Sequence, residues 1–218
     1  MPYLPYVERV VETYAKGDDL LRPLEALEVF SGLSGRYKDS DDWYEERSRL
    51  FFDYLAFDHP SPPYRSILHR YFVEGTERVR REGLVDVYRG FLSSHTGVFD
   101  ILKVGRADVT LKDLIGGCHF GVSLPEGAYS FVEGVVINAR IIPFRGGLIL
   151  GHGILLHPEH ASPHILKLVE ALRREGILGW TSFFLLARMK LQHDMSPTFK
   201  LSSIYSPRSF LIKRAPPE

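Results

Sequence analysis

From residue 96 to residue 156 the chain is rich in Val, Ile, Phe and Gly, and a turn signal interrupts it about every 8–12 residues. No other feature constrains the fold as tightly. Short apolar segments of this kind are strands. Exposed edges along them would pair with other chains, and closure into a ring removes those edges. Strands are predicted at 97–104, 108–115, 118–123, 134–143 and 147–156. The turns between them fall at Gly105-Arg106-Ala107-Asp108, Gly116-Gly117, Pro125-Glu126-Gly127 and Arg145-Gly146-Gly147. Five short antiparallel strands predict a small β-barrel of the SH3-like or OB-like kind.

On both sides of this block the apolar period is helical. Tyr6, Val7, Val10, Val11 and Tyr14 predict a helix at 5–16, stopped by Gly17. A second is predicted at 22–31, with Gly32 able to end it. Asp41 is placed to cap a third, which runs to Phe57 and carries an aromatic face. Pro62 and Pro63 suit the opening turn of a helix at 63–73, and another is predicted from Thr76 to residue 94, weakened by Gly83 and Gly90. After His157-Pro158, Ser162 and Thr181 are placed to cap two more helices. Phe210-Leu211-Ile212 reads as a short terminal strand. The fold class is therefore α+β: N-terminal helices over 1–94, the barrel over 95–157, and C-terminal helices and a tail over 158–218, forming one compact unit.

Several function classes fall away on composition. The 218 residues carry 27 basic and 27 acidic side chains, so bulk attraction to nucleic acid or an anionic surface is not expected. The charge is uneven. Residues 1–60 hold 13 acids and 7 bases, net −6, and residues 184–218 hold 6 bases and 2 acids, net +4. Such ends attract each other or are solvated, and a basic tail is also a surface for RNA, DNA or lipid. The single cysteine, Cys118, rules out an intrachain disulfide and a multi-cysteine zinc site, and suits a reducing, cytoplasmic compartment. The N-terminus has no basic and apolar leader pattern, and no apolar run approaches the ~18 residues of a bilayer span. No cofactor-binding motif is present.

The densest set of metal-ligand types is His157, His160 and His164 with Glu159, and His152 just upstream. Imidazoles and a carboxylate would suit Zn²⁺. The spacing fits neither a helical His pair nor a finger, and Pro163 puts His160 outside the helix that holds His164. A surface strand-to-helix loop is the plainer expectation. His193 and Asp194 lie near Ser196, Ser202 and Ser203, yet no Gly-x-Ser-x-Gly elbow accompanies them. Cys118 and His119 are strand neighbours and point to opposite faces, so a small core cysteine is expected rather than a thiolate–imidazole pair. The glycines of Gly146-Gly147 and of Gly151-His152-Gly153 read as turns and bends, which leaves His152 sterically open. Polar residues interleaved in the strands include Lys112, Asp113, Asn138 and Arg140. On an OB-like barrel, Phe99, Phe120 and Arg140 would stack on bases.

Three stretches carry a resemblance. The first is Tyr44-Glu45-Glu46-Arg47 followed by Phe51-Phe52-Asp53-Tyr54-Leu55-Ala56-Phe57-Asp58-His59-Pro60. The second starts at Ser94-His95-Thr96-Gly97-Val98-Phe99-Asp100 and continues to Leu111-Lys112-Asp113-Leu114-Ile115-Gly116-Gly117. The third is Ala139-Arg140-Ile141-Ile142-Pro143-Phe144. In this order they resemble a bacterial protein family without an assigned activity, some members of which carry a SEC-C metal-binding tail. That tail is absent here, so its metal does not carry over. The resemblance spans about 40–160 and implies a helical region followed by a barrel, with no catalytic residue to transfer. On physical grounds Asp113 is placed to bond the following Gly-Gly turn. Arg140 is a candidate to pair with Asp100 or Asp113. Asp53 and Asp58 are candidates to pair with Arg47, Arg49 or Arg65.

With no converging acid, base, nucleophile or phosphate loop, the sequence points to a non-enzymatic module that binds a protein partner or regulates one. Arg140, Lys112, Asp113 and Phe120 are the candidate binding residues. Association with nucleic acid through the barrel and the basic tail is the alternative, and a metal-dependent enzyme built on the 152–164 histidines is the third reading.

Overall fold

The computed structural model describes residues 1–15, 21–124 and 130–209. Helices α1 (Leu4–Tyr14), α2 (Leu21–Ser34) and α3 (Tyr44–Asp53) open the chain, and α3 passes into a π-helical turn at Tyr54–Asp58. Then come α4 (Ile67–Glu74), α5 (Thr76–Arg81) and α6 (Val85–Leu92). The strands are β1 (His95–Val104), β2 (Asp108–Asp113), β3 (His119–Ser123), β4 (Val136–Phe144), β5 (Gly147–Leu150) and β6 (Leu155–Leu156). Helices α7 (Ser162–Arg174), α8 (Thr181–Met195) and α9 (Leu201–Ile204) follow. Among the described residues no helix is long and apolar enough to cross a membrane.

The five long strands close on themselves in the order β1-β2-β3-β5-β4, with β4 returning to β1. The barrel is mixed rather than wholly antiparallel, because β3 and β5 run parallel. Of the two barrel kinds expected, this ring order with a parallel third and fifth strand is the OB-like one. Strand β6 pairs with β4 on the same edge as β5, beyond the end of that strand. Phe144 and Gly147 pair across a two-residue turn in which Arg145 and Gly146 both have positive φ, the geometry of a tight hairpin.

Alternation along β4 organises the molecule. Ile137, Ala139 and Ile141 point into the barrel and pack with Phe99, Ile101, Val109, Leu111 and Val122. Val136 and Ile142 point outward and belong to the larger core shared with the helices. Asn138 and Arg140 lie on that same outer face and are buried too. The outer side of β4 is thus a packing surface for helices.

Several expected boundaries shift for local reasons. Helix α2 continues past Gly32 and stops before Gly35, which has φ +95°. The Asp41 carboxylate accepts from the Lys38 amide and does not cap α3. Pro62 and Pro63 lie outside α4, whose cap is Ser66. The helix predicted from Thr76 to residue 94 is two helices, broken at Gly83 with φ +68°. Ser162 opens α7 but turns its hydroxyl to accept from the Val136 amide. Trp180, not Thr181, stands at the cap position of α8. Gly17, the turn at Pro125-Glu126-Gly127, and the tail with Phe210-Leu211-Ile212, Lys213 and Arg214 lie outside the described residues.

Candidate functional site

The site is built on Arg140. Its strand neighbours Ala139 and Ile141 point into the barrel, so Arg140 points into the helical layer, where it is 4 % exposed. A guanidinium that deep must be paired. One terminal nitrogen meets the Asp58 carboxylate, and the other donates to Ser94 Oγ at 3.0 Å. The guanidinium carbon lies 4.4 Å from the centre of the Phe57 ring. Neither Asp100 nor Asp113, the expected partners, is used. Asp113 lies opposite Phe99 on the inner parity of the barrel, and Asp100 lies beside Lys112.

The π turn places one carboxylate, Asp58, on this arginine and a second, Asp53, close enough to feel its charge. An i→i+5 bond, His59 N to Tyr54 O at 2.8 Å, widens the helix end so that residues five apart share a face. Asp53 and Asp58 are five apart, and both feel the charge of Arg140. Asp53 accepts from the Gly153 amide at 2.9 Å and from Tyr3 Oη at 3.5 Å. Burial pushes the Asp53 carboxyl up to about 6 and also lifts Asp58, in each case against the pull of Arg140. Arg47, Arg49 and Arg65 pair with neither aspartate. Arg47 is fully buried and donates to Ala187 O at 2.6 Å, Arg49 pairs with Glu45, and the Arg65 side chain has no partner among the described residues.

The close fit of α3 to the strand region explains the spaced glycines. A Cβ on Gly153 would lie 2.6 Å from Leu50 Cα, and one on Gly151 would lie 2.6 Å from Asp53 Oδ2. The chain bends at His152 between them, as expected, and the two glycines also let α3 approach closely.

Beside Arg140 a cleft of about 320 Å³ opens to solvent. Phe57, Leu68 and Phe91 form its apolar floor, and Asp58, Arg65, Ser66, His69, Ser94 and Arg140 supply polar groups. The first turn of α4 faces it, with Ser66 Oγ accepting from the His69 amide at 3.3 Å. The His69 ring accepts the Arg65 amide at Nδ1, which leaves Nε2 as its N–H donor. Two larger grooves are more open. One lies between α6 and the β4–β5 hairpin, the other beside Tyr14 and Arg78. Neither contains a buried charged pair.

The four candidate binding residues do not share a surface. Arg140 is under the helices. Lys112 is exposed between Asp100 and His119 on the outer barrel face. Phe120 is half-buried on the inner face, 6.0 Å from Phe99 and stacked on His95 at 5.5 Å. Asp113 accepts from the amides of Ile115 and Gly116 at 2.8 and 2.9 Å and meets His95 Nε2 at 2.9 Å. Burial opposes its charge, but the His95 ring and those two amides outweigh burial and hold the carboxyl below its usual range.

The histidines are dispersed. His157 is buried between Asn138 and Tyr205. Asn138 donates its amide to Phe183 O at 2.6 Å, so its oxygen faces His157 Nε2. That nitrogen therefore carries the proton, and Nδ1 accepts from the Tyr205 hydroxyl. Burial, with Lys190 and Arg47 nearby, takes the His157 pKa down to about 3. His152 is half-buried; burial, Arg49 and the N-terminal amine lower its pKa. His160 lies edge-on to His193, and His164 sits in the first turn of α7. Among the described residues no three His, Cys, Asp or Glu side chains gather closely enough to hold a metal ion.

Ser94 is not among the residues the sequence singles out, and Asp53 and Asp58 are expected there only as partners of Arg47, Arg49 or Arg65. The available signal was Arg140 itself, a charge inside a strand buried on both faces, which demands a distant carboxylate. Three stretches far apart in sequence meet here: 44–60 supplies Asp53 and Asp58, 94–117 supplies Ser94 and 139–144 supplies Arg140. No family model, no curated protein and no solved structure matches the chain.

Proposed function

We propose that the protein is a non-enzymatic binding module, that its protein partner docks at the cleft beside Asp58 and Arg140, and that it belongs to the bacterial family its motifs resemble. One observation carries the reading. The cleft joins an apolar floor to polar groups that the scaffold holds in place, the arrangement of a preformed recognition pocket. Asp58 and Ser94 fix the guanidinium, so little side-chain entropy is lost when a ligand arrives. Leu92, on the rim, is exposed enough to meet a partner.

Peptide display against the whole protein tests it. Selected peptides are expected to bind at least about tenfold more weakly to Leu92→Asp, and to bind Lys112→Glu unchanged. Peptides indifferent to Leu92→Asp would refute the docking site. Turnover of a small substrate that a single polar substitution abolishes would refute the non-enzymatic reading.

The barrel connectivity favours one second reading. Oligonucleotides lie across the second and third strands of OB folds, and here that side carries exposed Lys112 and His119. A gel shift with a single-stranded oligonucleotide that fades with salt and is lost in Lys112→Glu would support it. No shift at low ionic strength would end it.

A further inference from the structure

We propose that a single buried water molecule is bound behind Arg140, accepting from Arg140 Nε and the Thr96 hydroxyl and donating to the carboxylates of Asp53 and Asp58. The inference stands apart from the docking reading. It starts from strand register. Thr96 of β1 lies directly opposite Arg140 of β4, so the two side chains share the outer face of the sheet. Thr96 Oγ1 and Arg140 Nε are both buried, and neither has a hydrogen-bond partner among the described residues. Buried polar atoms of this kind are paired in folded proteins, with protein or with ordered water.

The shape of the guanidinium says where the missing partner lies. Its Nη1 meets Ser94, which lines the open cleft and not the space behind it. The Nε–H shares an edge with Nη2, the nitrogen that meets Asp58. Thr96, Arg140, Asp53 and Asp58 together line a small cavity between the sheet and the helices. Its apolar walls include Leu50, Tyr54, Phe183 and Phe184, all of them buried. The cavity leaves about 10 Å³ for the centre of a water molecule, and one water needs about that much.

Charge and hydrogen bonding choose the occupant. A cation would sit against the Arg140 guanidinium, and an anion would sit against two carboxylates. A neutral molecule meets neither objection. It must accept from an N–H and an O–H, and it must donate twice, because ionised carboxylates only accept. Water does all of this within the space available. Asp53 has capacity for it, since Gly153 and Tyr3 use only part of what a carboxylate can accept. The bridge also connects Asp53 to an arginine that it does not touch.

The test is crystallography of the whole protein at a resolution that shows ordered waters. Density for one water is expected within hydrogen-bonding distance of Arg140 Nε, Thr96 Oγ1 and both carboxylates. Thr96→Ser keeps the hydroxyl and is expected to keep the density. Thr96→Val puts a methyl group where the hydroxyl was, in a cavity with no room to spare, and is expected to lose it. Magnetic relaxation dispersion of the water oxygen nuclei counts long-lived waters in solution, and Thr96→Val is expected to hold one fewer than the parent. No density in the parent, or density that touches neither Arg140 Nε nor Thr96 Oγ1, would overturn the inference. So would a water that persists in Thr96→Val with an unchanged count, because Thr96 would then not be its ligand. If Thr96→Val does not fold, the crystals of the parent and of Thr96→Ser decide the question.

Discussion

Arg140 shows how one residue can set the terms for several others. Its burial is tolerable only with Asp58 beside it, and the charge of Asp53 adds to the bargain. Removing one member of a buried pair leaves the other desolvated and unpaired, at a cost of about 3–5 kcal/mol. Arg140→Met is therefore expected to lose stability of that order in urea unfolding. Adding Asp58→Asn to it should recover part of the loss, since the orphaned charge is gone. Titration offers a second check. His157 has a folded pKa of about 3 against an ordinary 6.5, so it contributes stability that is full above pH 6.5 and is lost as pH falls toward 3. Asp53 has a folded pKa of about 6 against 3.8, so its contribution is full below 3.8 and is lost as pH rises through 6. Between pH 6 and 4 the two slopes oppose each other, each at about 1.4 kcal/mol per pH unit. Asp53→Asn removes the counterweight. Its stability, followed by chemical denaturation, should fall more steeply than that of the parent over that interval; equal slopes would mean that Asp53 does not titrate there.

At the scale of elements, the π turn at Tyr54–Asp58 and the glycine pair at 151 and 153 bring helix and strand together. Gly153→Ala pushes a methyl group into the backbone of Leu50 and Arg49, neither of which can rotate away. Overpacking of this kind typically costs about 1–3 kcal/mol, and a thermal melt should show it. Elements of this sort also divide what the sequence discloses from what it hides. The barrel was legible because period-2 alternation and turn residues are local signals, and the β4–β5 turn was placed correctly at Arg145-Gly146-Gly147. The parallel β3–β5 pair was not, because pairing partners are chosen by the closing ring and not by either strand. The π turn is indistinguishable from ordinary helix in the sequence, since its apolar residues satisfy a helical pattern on either pitch. Asp113 could be assigned to its turn because its partners are two and three residues away. The Asp58–Arg140 pair, 82 residues apart, left only the demand that Arg140 find some carboxylate.

For the molecule as a whole, the outer face of β4 decides how folding is shared. Val136, Asn138, Arg140 and Ile142 are buried there against helices that come from both ends of the chain. Asn138 bonds to Phe183 of α8, and Arg140 bonds to Asp58 before α4. The barrel has an interior cluster of its own, yet unfolding the helices would expose this strand's second apolar face together with a guanidinium and an amide that need partners. The barrel and the helices should therefore unfold in one transition. Both tryptophans, Trp43 and Trp180, belong to the helical part and report on it by fluorescence. Amide exchange at Ile101, Leu111 and Ile137 reports on the barrel. The free energies obtained from the two probes are expected to agree. Barrel amides that stay protected at a denaturant concentration where the tryptophan signal has already collapsed would instead mark the barrel as an independent folding unit, and the helices as a layer added to it.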